Sequence, residues 1–321
     1  SELVKGAFGG LQERAPAMPP VAFGSIRHKG IKTFHHHEKE AGSTTVTIEV
    51  LAKIDPMHDS RSLQLEQLIE EAADRMVQNR FDAAVGRPDI PGTDAAVGSG
   101  QFLNHISYAM LTMEGEPEEW EEILAFLEQT LRAALEYGFT ENELMRVKKE
   151  LTAELDVAVS KKDTRESKVL ARQLIRTLNA DRVFRSPEQE QEMLAAYIQD
   201  LSLEGVHTAF RQLWAQEHRL VMVTGNADLS EMPGGAEAAI AAVFNHSRDL
   251  AVKPPQDKTI TSFPYLSPPA AAGRIKTHTQ AEDLGIVQVE FENGFRLNLK
   301  KTDFKDDEVL ASLAFGVGRS G

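Results

Sequence analysis

Two consecutive long helices constrain the fold of this chain most strongly. Between Trp120 and Leu135, apolar residues recur every three or four positions, and Gly138 ends this run. Thr140 and Glu143 follow as a Thr-x-x-Glu capping box, which predicts the start of a second helix. That helix has its own apolar row at Leu144, Val147, Leu151 and Leu155. Both helices are amphipathic, so each needs another element to pack against.

Strand patterns precede and follow this helix pair. β-Branched and alternating residues predict a strand at 43–53, one or two strands at 99–116, and a strand at 219–225. Helical spacing predicts further helices at 60–80, around 169–178, from Ser186 with Pro187 in the first position, and at 202–216. The sequence therefore predicts an α+β fold: an antiparallel or mixed β-sheet with long helices packed on one face.

The chain divides by composition into four predicted parts. Residues 1–20 are a Gly/Pro/Ala-rich tail or linker, 21–229 form one α/β block, and 230–284 form a Pro-rich extended linker. Residues 285–321 begin a second block, in which Asn293-Gly294 predicts a hairpin and 308–315 a third strand. The opening of this block loosely resembles the opening of the first. The chain begins without methionine and stops after a strand pattern, so we expect it to be a piece of a longer protein.

Charge and cysteine content exclude several classes of function. The formal net charge of −14 over 321 residues opposes binding to nucleic acid or to anionic membrane surfaces. The same charge is compatible with basic peptide partners or simply with solubility. With no cysteine in the sequence, thiol catalysis, disulfides and thiolate metal sites are excluded. No apolar run approaches the length of a membrane span.

Two stretches resemble the insulinase/pitrilysin family of zinc metallopeptidases. "GFTENELMRVKKELTAELD", residues 138–156, resembles a helix opening of that family. "FENGFRLNLKKTDFKDDEVLASLAFGVG", residues 291–318, resembles the hairpin and strand that open each of its repeats. The order of predicted elements over about 25–225 is also similar to one such repeat.

The resemblance implies a function for the whole protein. In that family four α/β repeats enclose a chamber, and the first repeat binds zinc through an H-x-x-E-H motif on a helix and a downstream glutamate. This chain would be the noncatalytic second repeat and the start of the third, with zinc held by an upstream repeat. Its partners would be that catalytic repeat, the downstream repeats and a peptide substrate. A periplasmic location is favoured by resemblance, and an inactive scaffold or partner subunit is the alternative.

The run "FHHHEKE", residues 34–40, is the strongest metal candidate in the chain. His35-x-x-Glu38 fits the zinc motif as far as its last position, where Lys39 stands in place of histidine. In an extended segment His35 and His37 share one face, but a catalytic site needs three ligands and a water. We therefore predict a strand end here, and keep an independent metal enzyme using His35, His37 and Glu38 as a weaker alternative.

The remaining candidates give no catalytic constellation. His58, His105 and His207 lack companions at ligand spacing, so we predict structural or solvated roles for them. The predicted helix at 60–80 contains Glu70 and Glu71 but no histidine, and we interpret this pair as ordinary helix surface. The sequence analysis consequently assigns no catalytic, cofactor-binding or metal-ligating residue.

Overall fold

The computed structural model describes residues 2–12, 15–16, 24–255, 273–302, 309–314 and 316. The strands are β1 (Gly30–His37), β2 (Thr44–Lys53), β3 (Asp94–Phe102), β4 (Ile106–Gly115), β5 (His218–Gly225), β6 (Ile275–Ala281), β7 (Ile286–Phe291) and β8 (Arg296–Lys300). The helices are α1 (Glu2–Phe8), α2 (Arg61–Ala84), α3 (Trp120–Tyr137), α4 (Glu141–Ser160), α5 (Ser167–Asn179), α6 (Pro187–Asp200), α7 (Leu203–Leu213) and α8 (Ala236–Asp249).

Five strands form a mixed sheet in the order β1-β5-β2-β4-β3. β1 and β5 are parallel, whereas β5-β2, β2-β4 and β4-β3 are antiparallel. β1 and β3 are therefore the two edges. A separate antiparallel sheet contains β6, β7 and β8, and its β7–β8 hairpin turns at Asn293-Gly294 as predicted.

The core lies on one face of the five-stranded sheet. Along β2, Val46, Ile48 and Val50 are buried, while the intervening side chains are partly exposed. Helices α2, α3 and α8 contact strands of the sheet, and the stripe predicted for α3 is buried. The apolar side chains on one face of β2 pack against the apolar stripe of α3. Burial of this apolar surface stabilises the packing of the helices on the sheet. The predicted α+β class is confirmed.

The junction between α3 and α4 is fixed by backbone and charge together. Gly138 ends α3 with a φ of 71°, a conformation that favours glycine, and Thr140 and Glu143 form the predicted capping box. Arg80 of α2 donates to both carboxylate oxygens of Glu143, at 2.6 and 3.0 Å, and to the carbonyl of Gly138 at 2.8 Å. Its guanidinium also lies 5.0 Å from the ring centroid of Phe139. This cluster ties α2 to the start of α4.

The range 230–284, predicted as an extended linker, contains helix α8 and strand β6. α8 packs against α3 and β1 and buries Ile240 and Phe244, so this helix belongs to the core of the first block. The pattern was missed because Pro233, Gly234 and Gly235 precede it directly and prolines dominate the sequence beyond it. The proposed division of the chain into units stays a prediction.

Two further differences concern the ends of the chain. The predicted tail at 1–20 contains the short helix α1, which has no buried residue. The strand predicted at 308–315 lies partly outside the described residues, and the described part, 309–314, has no strand. The third strand of the small sheet is instead β6, which precedes the hairpin. Within the described ranges, no helix combines the length and apolarity needed to cross a membrane.

Candidate functional site

A groove between helix α2 and edge strand β3 brings together several titratable side chains. Its volume is about 410 Å³. Residues of one α2 face line one wall, and residues 97–101 of β3 line the other. These α2 residues share one helix face, because each lies three or four positions from another member of the set: Gln67, Glu70, Glu71, Asp74, Arg75 and Gln78. Gly98 and Gly100 carry no side chains on the strand, which leaves the groove open on that side.

Side chains of α2 hydrogen-bond to the outer edge of β3. The Gln78 amide accepts from the backbone N–H of Val97 at 2.9 Å and donates to the carbonyl of Ala95 at 2.9 Å. Asp74 Oδ2 accepts from Ser99 Oγ at 2.6 Å. These contacts occupy edge positions that a further strand would otherwise use, and they protect part of the edge from pairing. They also fix the position of Asp74 within the groove.

Burial raises the pKa values of the carboxyl groups in this groove. The pKa of Glu70 rises to about 7, first through burial and then through the neighbouring charges of Asp74 and Glu66. The pKa of Asp74 rises to about 6, chiefly through burial, although hydrogen bonds from Ser99 oppose the shift. Asp74 Oδ1 is buried and accepts no hydrogen bond from the described residues. Taking carboxylates out of water disfavours their charged form, so both groups titrate close to neutral pH.

A single guanidinium offsets part of this negative charge. Arg75 pairs with Glu154 of α4 and donates to Glu71 Oε1 at 3.2 Å. Burial raises the pKa of Glu71, and the charge of Arg75 opposes that shift. Glu70 forms no hydrogen bond or ion pair with any residue in the described ranges, so its carboxyl group remains available to a ligand.

The sequence of this helix face can be compared with the zinc motif of the family that the chain resembles. Gln67, Glu70 and Glu71 stand at the first, fourth and fifth positions of an H-x-x-E-H pattern. The motif's glutamate is thus present, but an amide and a carboxylate replace the two histidines. Arg75 places a positive charge beside Glu71, and a guanidinium cannot ligate a metal. These donors do not fit a catalytic zinc ion, which prefers at least two imidazoles here.

The histidine run lies where the sequence predicted it, at the end of a strand. His35 and His37 lie two residues apart at the end of β1, and Glu38 follows the strand. His35 Nε2 lies 3.0 Å from the carbonyl oxygen of Ala227, and His37 Nδ1 lies 4.0 Å from Asp228. The structure thus gives His35 a backbone partner. Across the described ranges, no group of three or more His, Asp or Glu side chains is arranged to hold a metal.

The three further histidines singled out in the sequence, His58, His105 and His207, lie apart from the groove. His58 Nδ1 lies 2.6 Å from Asp181, and this pair is exposed. His207 Nε2 lies 3.0 Å from the carbonyl of Leu135 and packs edge-on to Phe139. His105 is the last residue of the tight turn between β3 and β4, and its backbone N–H donates to the carbonyl of Phe102. The structure does not bring these side chains together.

The sequence analysis missed this groove because the properties of its carboxyl groups depend on their burial in the folded chain. Glu70 and Glu71 looked like an exposed pair, and Asp74 and Ser99 drew no attention. The spacing of Glu70, Glu71 and Asp74 places them on one helix face, and that was the available signal. Their proximity to β3 follows from tertiary packing, which the local pattern does not contain.

Comparison with solved structures shows that the fold is that of insulinase-type peptidase domains. The first half of the periplasmic protease PqqL from Escherichia coli matches with a TM-score of 0.67 and 15% identity, over 79% of this chain and 54% of that chain. The full PqqL structure matches with a TM-score of 0.65 and 16% identity, over 94% of this chain and 33% of that one. A predicted insulinase-family protease from Yersinia pestis matches with a TM-score of 0.58 and 16% identity, over 77% and 52%.

The chain therefore spans about half of the PqqL half-molecule and a third of the whole one. At these identities the likeness shows the fold alone. Searches of the sequence against protein-family descriptions and against curated proteins find no match.

The carboxyl groups of the α2–β3 groove can bind a cationic group without a metal ion. Three carboxyl groups and one guanidinium give it net negative charge when they are ionised. A cation entering the groove would favour the ionised forms of Glu70 and Asp74 and gain charge-assisted hydrogen bonds. A lysine or arginine side chain of an extended peptide has the charge and reach for this.

Proposed function

We propose that this chain is a noncatalytic repeat of a zinc-dependent metalloendopeptidase of the insulinase/pitrilysin type. In this proposal it is the second repeat, followed by the first strands of a third, and zinc is held by an upstream repeat. The whole protein hydrolyses peptide bonds, and this repeat forms part of the wall that encloses the peptide.

The observation that carries the proposal is the chemistry of helix α2. In this proposal α2 is the counterpart of the family's zinc-binding helix, and Gln67 and Glu71 stand where the motif has histidine. Glu70 keeps the position of the glutamate that would activate a metal-bound water, but no suitable ligand set surrounds it. The helix has therefore kept the architecture of the family and supports no hydrolysis of its own.

Within this function, the α2–β3 groove contacts the peptide. The carboxyl groups of Glu70 and Asp74 form no ion pair among the described residues, and burial raises the pKa of both. A basic side chain would supply the missing charge. We expect the repeat to bind unfolded peptides that contain lysine or arginine in preference to acidic ones.

Fluorescence anisotropy with a labelled, unstructured lysine-containing peptide tests this proposal. The Glu70→Gln variant should weaken binding about tenfold, because a charge-assisted hydrogen bond is lost. Glu122→Gln on the exposed start of α3 is the matched control and should bind as the parent chain does. Binding should also weaken as the pH falls from about 8 to about 5, since both carboxyl groups become protonated. Equal affinity for acidic and basic peptides would refute the role of the groove.

The scaffold alternative is favoured by a separate observation. Helix α5 buries none of its residues, and Ile175 and Leu178 are 57% and 65% exposed. Such an apolar helix face is typical of a surface that packs against another part of an assembly. In this second candidate the chain serves as a partner or core subunit and binds no peptide. If the folded parent chain bound no peptide in the fluorescence anisotropy assay, that result would support the scaffold alternative.

We also propose a periplasmic location. The support is the similarity to PqqL, which is described as a periplasmic protease. Fractionation of cells that produce the native, full-length protein would test this, and recovery in the cytoplasmic fraction would contradict it.

A further inference from the structure

A second cavity, away from the α2–β3 groove, has the opposite charge. It lies beside the starts of β1 and β5, between α3 and α8, and has a volume of about 310 Å³. Part of its wall is apolar and consists of Ile31, Leu131, Leu135 and Phe244. The rest of the wall contains three guanidinium groups, from Arg132, Arg219 and Arg248, and two carboxylates, from Glu128 and Glu217. In a chain of net charge −14, this concentration of positive charge is unusual.

Arg219 is held rigidly in this cavity. Its Nη1 donates to the carbonyls of Gln216 and His218, both at 2.7 Å, and its Nη2 donates to the carbonyl of Trp214 at 2.9 Å. The guanidinium also lies over the Trp214 ring, 5.5 Å from its centroid. A guanidinium has five N–H groups, so these three bonds leave donors to spare, including Nε–H. The unused N–H groups of Arg219 are thus held in a fixed orientation, from which they can donate to an acceptor in the cavity.

The carboxylates near the cavity are already engaged with other cations. Glu128 receives two hydrogen bonds from Arg132, at 2.8 and 3.1 Å, and another from Ser247. Glu217 pairs with Lys29 at 2.5 Å. Neither carboxylate neutralises Arg219.

Arg219 and Arg248 are therefore left without a counter-ion among the described residues. Burial of Arg219, and after it the positive charge of the nearby Arg248, lower the pKa of Arg219. Arg248 lies in the last turn of α8, where the helix dipole favours a cation. The dipole of α8 explains why a positive charge is stable at Arg248. The dipole does not explain the second, largely buried guanidinium of Arg219 nearby, because a buried charge requires a partner.

We infer that this cavity binds a carboxylate that is carried on a small apolar group, and that the C-terminal residue of a peptide is its ligand class. The carboxylate would accept from Arg219 and Arg248, and an aliphatic or aromatic side chain would cover the apolar wall. A free phosphate would satisfy the guanidiniums but would leave Ile31, Leu131, Leu135 and Phe244 uncovered. This site is independent of the α2–β3 groove and of the function proposed above.

Tryptophan fluorescence offers a direct readout, because Trp214 lies under Arg219 and the chain contains two tryptophans. The probe is N-acetyl-leucine, titrated into the whole chain, and its amide serves as the matched uncharged ligand. We expect saturable binding of the acid, about tenfold tighter than that of the amide, because the acid alone makes charge-assisted hydrogen bonds.

Substitutions locate the binding to this cavity. Arg248→Gln, at an exposed position, should weaken binding of the acid about tenfold and leave the fold intact. Arg211→Gln on the exposed face of α7 is the control and should have no effect. Arg219→Lys keeps the charge but loses the fixed geometry, and should also weaken binding in a chain whose circular dichroism is unchanged.

Three results of the binding comparisons would overturn the inference, and so would a failure to detect binding. They are equal affinity for acid and amide, undiminished binding by Arg248→Gln, and binding of inorganic phosphate as tight as that of the acid. The last result would identify a simple anion site in place of a peptide C-terminus site. Absence of saturation at millimolar acid would refute any ligand site in this cavity.

Discussion

Replacement of Asp74 by asparagine should stabilise the chain at alkaline pH. The pKa of Asp74 is raised from 3.8 to about 6 in the folded state, chiefly by burial. The folded state therefore holds this proton more tightly than the unfolded state does, and stability falls as the pH rises through this interval. Below about pH 3 both states are protonated and the cost is absent, near pH 4 it is still small, and above about pH 7 it is complete.

The magnitude follows from the size of the shift. Each pKa unit corresponds to about 1.4 kcal/mol, so ionised Asp74 costs the folded state about 3 kcal/mol. Asparagine carries no charge and keeps one oxygen that can accept from Ser99, but it loses the second oxygen. We therefore expect Asp74→Asn to increase the free energy of unfolding by about 1–3 kcal/mol at about pH 8 and to change it little at about pH 4.

Urea denaturation followed by circular dichroism at these two pH values measures the effect. Asp55→Asn, at an exposed loop position, is the control and should be neutral at both. The reasoning would be refuted if Asp74→Asn destabilised the chain at alkaline pH, or changed its stability equally at both pH values. Either result would mean that Asp74 is not held in a desolvated environment.

Two further predictions concern the junction of α3 and α4, and thermal or urea unfolding measures both. Arg80→Ala should lower the free energy of unfolding by about 2–3 kcal/mol, because it removes a largely buried bidentate pair with Glu143 and leaves the carboxylate short of a partner. A loss no larger than a surface substitution would contradict this. Gly138→Ala should cost about 1–3 kcal/mol, since φ is 71° and a Cβ would lie 2.9 Å from His207 Nδ1. Gly86→Ala has a similar φ but open space, so a cost equal to that of Gly138→Ala would show that the contact with His207 is unimportant.

The sequence predicted most elements whose signals are local. The stripe of α3, the capping box at Thr140 and the turn at Asn293-Gly294 all appear in the structure at the expected residues. Each of these signals depends on residues within a few positions of one another, so one sequence suffices to read it. A strand end was predicted at the histidine run, and β1 does end at His37, although its range from Gly30 was not predicted.

Elements that depend on distant partners were missed. Helix α8 has apolar residues at helical spacing, but adjacent proline and glycine masked its start, and its partners α3 and β1 lie far away in sequence. The groove carboxylates were interpreted as surface for the same reason. Only the packing of β3 beside α2 buries Asp74, and that burial is what changes its chemistry.

The central proposal is that this chain is a noncatalytic repeat of the insulinase type, whose helix α2 carries no zinc-binding site. Elemental mass spectrometry on the purified, tag-free chain after dialysis tests it most directly. We predict a zinc content close to zero per chain, because Gln67 and Glu71 replace the motif's histidines and Arg75 lies beside Glu71. A value close to one zinc per chain, lost on Glu70→Gln or on His35→Ala, would contradict the claim and identify a metal centre in this chain.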